Sequence, residues 1–526
     1  MMVSFKYLKK FLFIATVAFF FNACFVSCKE PYKKNSTHQN VKDENIDEGK
    51  KLAAIYCGSC HLLPDPSLLD AKSWDVGVLP EMGPRLGIFN HGFSLYPSYK
   101  NDKNVDKDFY PAKPVINDVQ WQNIIDYYTS LAPDTLEAGK DDIKIENTFS
   151  LFKPEIPAYK INGARTSFVA IDTTMYPGTL VVADANKKNI LRLTSNLSFI
   201  DSIQCKWPLV DIDFAKSNAT VCNIGVIVPT NGRFGTGNII TQDANKKISY
   251  DTIPMFDSLR RPVQMTACDL NKDGKQDYLV CEYGNLKGAL SWMENMGDNK
   301  FVRHVIRESP GAIKACLNDY NNDGLTDLFV LFAQGDESIF LFTNKGNGKF
   351  EERQLLRFPP VYGSTYMELA DFNKDRFPDI IYTCGDNADY SVIFKPYHGV
   401  YIYLNDGKNN FTKKYFFHIN GCFKAMARDF DGDGDLDIAA ISFFADYQHR
   451  PEEGFVYFEN NGDYNFKPYS IPETQSGRWL TMDAADLDRD GKTDIVLGNF
   501  TAPAMMTSSV QFQEAPPFLF LKNIGK

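Results

Sequence analysis

The sequence predicts a multidomain chain in which a small all-α domain precedes an all-β, seven-bladed propeller. Three observations carry this expectation. At 526 residues the chain exceeds what one ordinary core supports, since single cores stop growing near roughly 250–300 residues unless the architecture repeats. Helical periodicity is confined to the part before Pro133, after which short apolar runs alternate with Gly, Asn and Asp. Within that second part an acidic loop recurs five times, at intervals of 50–58 residues.

Hydrophobic residues at 44% and charged residues at 23% describe a folded protein. The formal net charge of −10, with no basic stripe beyond the first 35 residues, excludes nucleic-acid binding, which needs at least a local Lys/Arg surplus.

The N-terminus reads as a targeting segment. Lys6, Lys9 and Lys10 supply a positive region and Phe11 to Phe21 an apolar run. Two sites with an apolar then a small residue before cysteine compete, Phe21-Asn22-Ala23-Cys24 and Phe25-Val26-Ser27-Cys28. Cys28 is the preferred lipidated residue, because Asn22 is polar and a polar stretch follows Cys28. The expected division is a lipoprotein signal peptide over 1–28 and a polar tether over 29–44. An uncleaved anchor from Lys10 to Ser27 is the alternative, but it falls short of the roughly 20 residues a spanning helix needs. The Cys28-Lys29-Glu30 junction resembles lipoproteins of Bacteroidetes-type bacteria. That resemblance implies an outer-membrane lipoprotein facing the periplasm or the cell surface, held to the membrane through its lipid.

Cys57-Gly58-Ser59-Cys60-His61 has the spacing of covalent haem attachment. Two thiols add across the porphyrin vinyl groups, and the adjacent His lies beneath the iron. A zinc site would need a second ligand pair, which is missing, and a redox dithiol would need a βαβ setting where a short helical pattern over 46–56 stands instead. Met82 is the preferred second axial ligand over His91. It sits in Leu79-Pro80-Glu81-Met82-Gly83-Pro84-Arg85-Leu86, read as stiff irregular backbone that aims a sulfur without helical constraint. Trp121, Ile124, Ile125 and Tyr128 at helical spacing mark a closing helix within 114–132. These features together resemble a class I cytochrome c domain over 45–133, with 134–149 as a linker and a surface insertion between His91 and Lys113. The resemblance implies haem c as cofactor.

The five acidic loops place oxygens at positions 1, 3, 5 and 9: Asp269, Asn271, Asp273 and Asp277; Asp319, Asn321, Asp323 and Asp327; Asp371, Asn373, Asp375 and Asp379; Asp429, Asp431, Asp433 and Asp437; Asp486, Asp488, Asp490 and Asp494. Such a set of hard donors, with Gly at position 6 for the turn and a position-7 carbonyl, suits Ca²⁺. It is not an EF-hand, because no Glu stands at position 12 and the loops run into β-type segments. Arg376 replaces the position-6 Gly, which makes the third loop the weakest. Positions 1, 3, 5 and 9 of the loops hold seventeen carboxylates, and five Ca²⁺ ions would offset the whole formal charge. The loop, strand, turn and aromatic strand ending in Asn resemble FG-GAP or VCBS repeats, the calcium-loop blades of integrin-like propellers. Two earlier units, over 168–193 and 209–241, lack the full loop and complete seven blades across 150–526, with Phe518 to Leu521 in the last. Closure removes exposed strand edges.

Of eleven cysteines, those beyond the haem motif are expected to be buried thiols, with a Cys205–Cys222 disulfide left open. The first functional reading is a non-enzymatic electron carrier whose propeller docks a redox partner protein. The alternatives are a haem-coupled dehydrogenase acting on a sugar or alcohol, and a surface adhesin or binding protein for a protein or carbohydrate ligand. Against the dehydrogenase, His304, His398, His418 and His449 are scattered.

Overall fold

The computed structural model describes residues 30–139, 143–158, 163–175, 177–216, 218–242, 248–388, 390–501, 512 and 515–525. The targeting segment and Cys28 lie outside the described residues. Among the described residues no helix is long and apolar enough to cross a membrane.

The N-terminal part is a helical unit. Helix α1 (Asp43–Tyr56) carries Asp43 and Glu44 in its first turn, where carboxylates complement the helix dipole. A short α2 (Leu79–Met82) precedes α3 (Asp118–Leu131). Helix α3 opens with a capping box, in which the Gln120 N–H donates to the Asn117 side chain at 2.9 Å and the Asn117 N–H donates to the Gln120 side chain at 3.0 Å. Helices α1 and α3 cross at Gly49, where any Cβ would overlap the Asn123 carbonyl oxygen, so only glycine permits the approach. Trp121, Ile124, Ile125 and Tyr128 face the core as the periodicity predicts. Trp74 packs 4.4 Å from Tyr128 and donates its indole N–H to the Pro66 carbonyl at 2.8 Å.

Two expectations about this unit change. The Met82 segment is helical: a π-turn (Ser73–Val78), α2 and a 3-10 turn (Gly83–Leu86) run on without a break. Pro80 and Pro84 are tolerated because each falls in the first positions of a new turn, where no intrahelical N–H bond is owed. The polar stretch before α1 is docked, not merely solvated. Asn35 is buried, its N–H donates to the Ser130 carbonyl at 3.0 Å and its amide to the Ala132 carbonyl at 3.1 Å. Those carbonyls are the orphan acceptors at the end of α3, which explains why a polar residue is buried there.

The remainder is a closed seven-bladed β-propeller of antiparallel blades. Blade 1 begins at Thr166–Asp172, blade 2 at Leu209–Phe214, blade 3 at Pro262–Cys268, blade 4 at Ala312–Asn318, blade 5 at Ser364–Ala370, blade 6 at Cys422–Arg428 and blade 7 at Trp479–Ala485. Blade 2 gains a fifth segment, Phe256–Leu259. The second strand of most blades, such as Asp327–Phe332 and Asp437–Ser442, is buried along its whole length because neighbouring blades cover both faces. This is why those strands read as continuous apolar runs.

Phe518–Asn523 supplies the third strand of blade 7, and the fourth is Phe152–Glu155, which precedes blade 1 in the chain and pairs antiparallel from Phe152↔Asn523. The segment expected as a linker follows the outside of blade 6. There Ile145 is buried, and Phe149 packs 4.6 Å from Tyr457 and 4.4 Å from Tyr469. All nine described cysteines are free. Cys205 and Cys222 belong to different core clusters, so no disulfide joins them.

Candidate functional site

Two sets of residues carry chemistry, and they lie at opposite ends of the blades. The acidic loops join first to second strands in blades 3–7. The helical unit touches segments that join second to third strands, or one blade to the next, around Asn231, Lys287, Val361 and Tyr397. In an antiparallel blade those connections fall at the other end.

The acidic loops share a bond from the position-6 N–H to the first Asp. In the blade 3 loop the Asp273 N–H donates to Asp269 at 3.2 Å and to Asn271 at 3.1 Å, and the Gly274 N–H donates to Asp269 at 3.0 Å. The pattern returns around Asp319, Asp371, Asp429 and Asp486. Position 6 has positive φ throughout, including Arg376 at 75°, whose N–H makes the same bond to Asp371 at 2.9 Å. Position 4 is also left-handed, in Lys272, Asn322, Lys374, Gly432 and Arg489, a requirement that the sequence reading missed.

These turns aim oxygens at one point. Carboxylate atoms of Asp429, Asp431 and Asp433, and of Asp486, Asp488 and Asp494, lie within 4.8 Å of one another. That spacing fits oxygens sharing one ion at calcium's usual 2.3–2.6 Å. The three loops with Asn at position 3 bring fewer carboxylates together. Lysines also compete: Lys522 pairs with Asp488, Lys492 with Asp490 and Lys275 with Asp273.

The position-9 aspartates have a second task. Asp277, Asp327, Asp379, Asp437 and Asp494 are all fully buried. In Asp437 one oxygen accepts the Phe430 N–H at 3.2 Å and the Tyr457 hydroxyl at 2.7 Å, and the other accepts the Asn460 N–H at 2.8 Å. Asp379 and Asp494 repeat the backbone bonds. Burial pushes Asp379, Asp437 and Asp494 up to about 6. The Asn that ends each third strand, visible in sequence but without a role there, is the partner in this clamp. Asn344 and Asn523 further donate to the Leu270 and Phe430 carbonyls of the preceding blade, at 2.9 and 2.7 Å.

At the other end, Cys57 caps α1 and the Cys60 N–H donates to its carbonyl at 3.3 Å, so the two thiols sit on one turn. Burial pushes the Cys57 thiol up to about 11, the opposite of the lowered pKa that an activated dithiol needs. His61 donates its Nδ1–H to the Leu62 carbonyl at 3.0 Å, which leaves Nε2 as the lone-pair nitrogen. A metal-binding His is commonly oriented by such a bond. Met82 packs with Cys57 and Leu63 against the apolar core of the unit. His91 is engaged with Gln122 at 2.8 Å on the exposed side of α3. Two thiols, one imidazole nitrogen and a thioether are the donor types that a c-type haem takes, with Cys57 and Met82 against the apolar core and Cys60 exposed.

Of the propeller histidines, His398 and His418 lie near each other beside Lys395, and His304 and His449 stand apart in pairs of their own. His304 pairs with Glu294 and stacks on Trp292, His449 pairs with Asp446, His418 contacts the Lys395 carbonyl, and His398 is buried.

Residues 319–382 and 429–497 match the family model described as FG-GAP-like repeat. These segments fall on blades 4–5 and 6–7. No curated protein matches. Among solved structures, the N-terminal domain of Nup159 is similar at 10% identity and a TM-score of 0.41, covering 73% of this chain and 99% of that one. Saccharomyces cerevisiae Sqt1 is similar at 9% identity and a TM-score of 0.42, covering 73% and 100%. The Myceliophteria thermophila Cps50 (Swd1) β-propeller domain is similar at 7% and 0.42, covering 70% and 99%. At these scores the propeller assignment rests on the sheet topology itself. The fold and repeats define a seven-bladed β-propeller with FG-GAP-like repeats, a scaffold suited to binding or docking.

Proposed function

We propose that this chain is a one-electron carrier. Cys57, Cys60 and His61 would hold a covalent haem c, Met82 would offer its thioether to the iron, and the calcium-stabilised propeller would dock a redox partner protein. The proposal includes tethering to the outer membrane through a lipid on Cys28. The observation that carries the reading is His61, whose Nδ1 is committed to the Leu62 carbonyl beside two free thiols on one turn. When bound, haem c supplies a reversible one-electron centre.

The protein's own residues then do four things. Cys57 and Cys60 fix the group to the end of α1. The Nδ1–H bond sets the His61 tautomer and ring orientation. Met82 offers a soft donor from apolar surroundings, which favours the reduced state and raises the potential. The acidic loops hold calcium at the far end of blades 3–7, with Asp429, Asp431 and Asp433 as the densest carboxylate set that lies wholly in the exposed turn.

The test is to express the full chain in a host with cytochrome maturation machinery and record oxidised and reduced absorption spectra. A red protein whose thioether-linked band near the red end disappears in Met82→Ala is the expected result. A colourless protein in which both Cys57 and Cys60 react with an alkylating agent would defeat the reading.

A further inference from the structure

The first strands of neighbouring blades stand next to one another in a closed ring, so alternate side chains on them line the axis of the propeller. Each first strand starts at the end of the ring where the helical unit is seated on blades 2 to 5. In blades 4, 5 and 6 that strand has a bulge at its second residue, and the residues that follow the bulge are Lys314, Tyr366 and Lys424. Equal register puts the three at one level of the axis. The ammonium groups of Lys314 and Lys424 lie 5.6 and 4.8 Å from the centre of the Tyr366 ring.

The carboxylates beside them each accept a backbone N–H of the following blade. Asp211 and Asp213 accept those of Met265 and Ala267 at 3.0 and 2.7 Å, and Asp483 accepts that of Ile171 at 2.8 Å. Glu368 accepts the Ala427 N–H at 3.3 Å and the Arg428 guanidinium at 2.6 Å. These acids therefore fasten blade to blade. The lysines are engaged differently: Lys424 donates to the Met482 carbonyl at 2.8 Å, and among the described residues neither lysine makes an ion pair. An ammonium held partly out of water without a counter-charge costs free energy, and burial pushes Lys424 down to about 8.

Below the lysines, towards the start of the strands, the lining is apolar. Phe423 and Leu480, from the first strands of blades 6 and 7, pack on a buried cluster containing Phe443 and Phe500, which Ile227 joins from blade 2. Phe443 lies 5.9 Å from Phe423 and 6.3 Å from Phe500. At the other end of the same strands stands the Arg428–Glu368 pair, in which the Arg428 side chain is 35% exposed. We infer that Lys314, Tyr366 and Lys424 form a binding site for a small organic acid, with its carboxylate between the two ammonium groups and its carbon body towards Phe423 and Leu480. An inorganic ion would neutralise the lysines but leave the apolar floor unused. The site does not depend on the haem reading, and a colourless protein would leave it standing.

The experiment is competitive acetylation of the full chain with acetic anhydride, read lysine by lysine by mass spectrometry. Sodium butyrate is the probe, with sodium chloride and sodium sulfate at equal ionic strength as the other arms. Butyrate is expected to slow labelling of Lys314 and Lys424, about fivefold at four times its Kd, while Lys153, with a side chain 64% exposed, reacts at an unchanged rate. Lys314→Met and Lys424→Met should each abolish the protection of the lysine that remains, in variants whose melting curves stay cooperative. Equal rates in butyrate and chloride, a pair that stays unlabelled in chloride, or slowing of Lys153 together with the pair would overturn the inference. Sulfate protecting as well as butyrate would overturn the assignment to an organic acid. These outcomes are read on the parent protein, so they decide the matter even where a variant fails to fold.

Discussion

Blades 3–7 and blades 1–2 share one strand order but close the first turn by different chemistry. In blades 3–7 nine residues carry a ring of oxygens and end in a buried aspartate that ties the turn to the third strand. In blade 1 Asp172 caps a short turn by accepting the Thr174 and Met175 N–H groups, both at 2.9 Å. In blade 2 the Ala215 N–H donates to the Asn218 carbonyl at 2.9 Å. The blade 2 carboxylates face elsewhere: Asp211 and Asp213 accept the Met265 and Ala267 N–H groups of blade 3, at 3.0 and 2.7 Å. The comparison teaches that this turn can be closed in two ways: the nine-residue acidic loop is confined to five blades, and blades 1 and 2 close the same turn without it.

Calcium removal is the strongest way to break this comparison. Each occupied site contributes about 2.7 kcal/mol at a hundredfold excess of ion over Kd. Chelation is therefore expected to lower the melting temperature and to release amide protection in the turns of blades 3–7 while sparing those of blades 1–2, as read by hydrogen exchange. Uniform loss across all seven blades would erase the distinction.

Next in size is Asp437→Ala, which strips acceptors from two backbone N–H groups and the Tyr457 hydroxyl in a buried setting. It should cost about 3–5 kcal/mol in urea unfolding. Asp172→Ala in blade 1, which removes the turn cap, should cost about 1 kcal/mol. Equal costs would mean that the clamp is no stronger than an ordinary cap.

Arg376→Gly sharpens the comparison within the loop-bearing set. Relieving a non-glycine residue at φ 75° should stabilise the protein by about 1 kcal/mol. It should also make the third loop respond to calcium titration as its neighbours do.

The smallest effect separates the loops from the rest of their blades. Glu453, at the far end of blade 6, is fully buried beside Arg450 and Asn420, and burial pushes its carboxyl up to about 7. The folded state thus holds this proton more tightly than the unfolded chain. The contribution is fully present below about pH 4.5 and is lost as the pH rises through 7. Glu453→Gln should flatten that part of the stability profile, with or without calcium.

The repeat count and the acidic loops were legible because each rests on local spacing. Asp269 to Asp277 announces its turn without any knowledge of its neighbours. The fourth strand of blade 7 was not legible, because Phe152–Glu155 is four residues long and meets its partner only through closure of the ring. Met82 was placed on irregular backbone because Pro80 and Pro84 ordinarily break helices, whereas here each starts a new turn. The seat for the helical unit was invisible for a third reason. Val361, Ile393 and Tyr397 look like ordinary loop residues until the two units are brought together.

The shared last blade has a consequence for how the protein is made. Its outer strand is among the first propeller residues to be synthesised and its third strand is among the last. The ring therefore stays unlatched until the third strand of its last blade has been made, and joining such distant segments is slow by nature. A wheel fastened in this way reaches its final shape only once that strand is in place, with six blades waiting on the seventh.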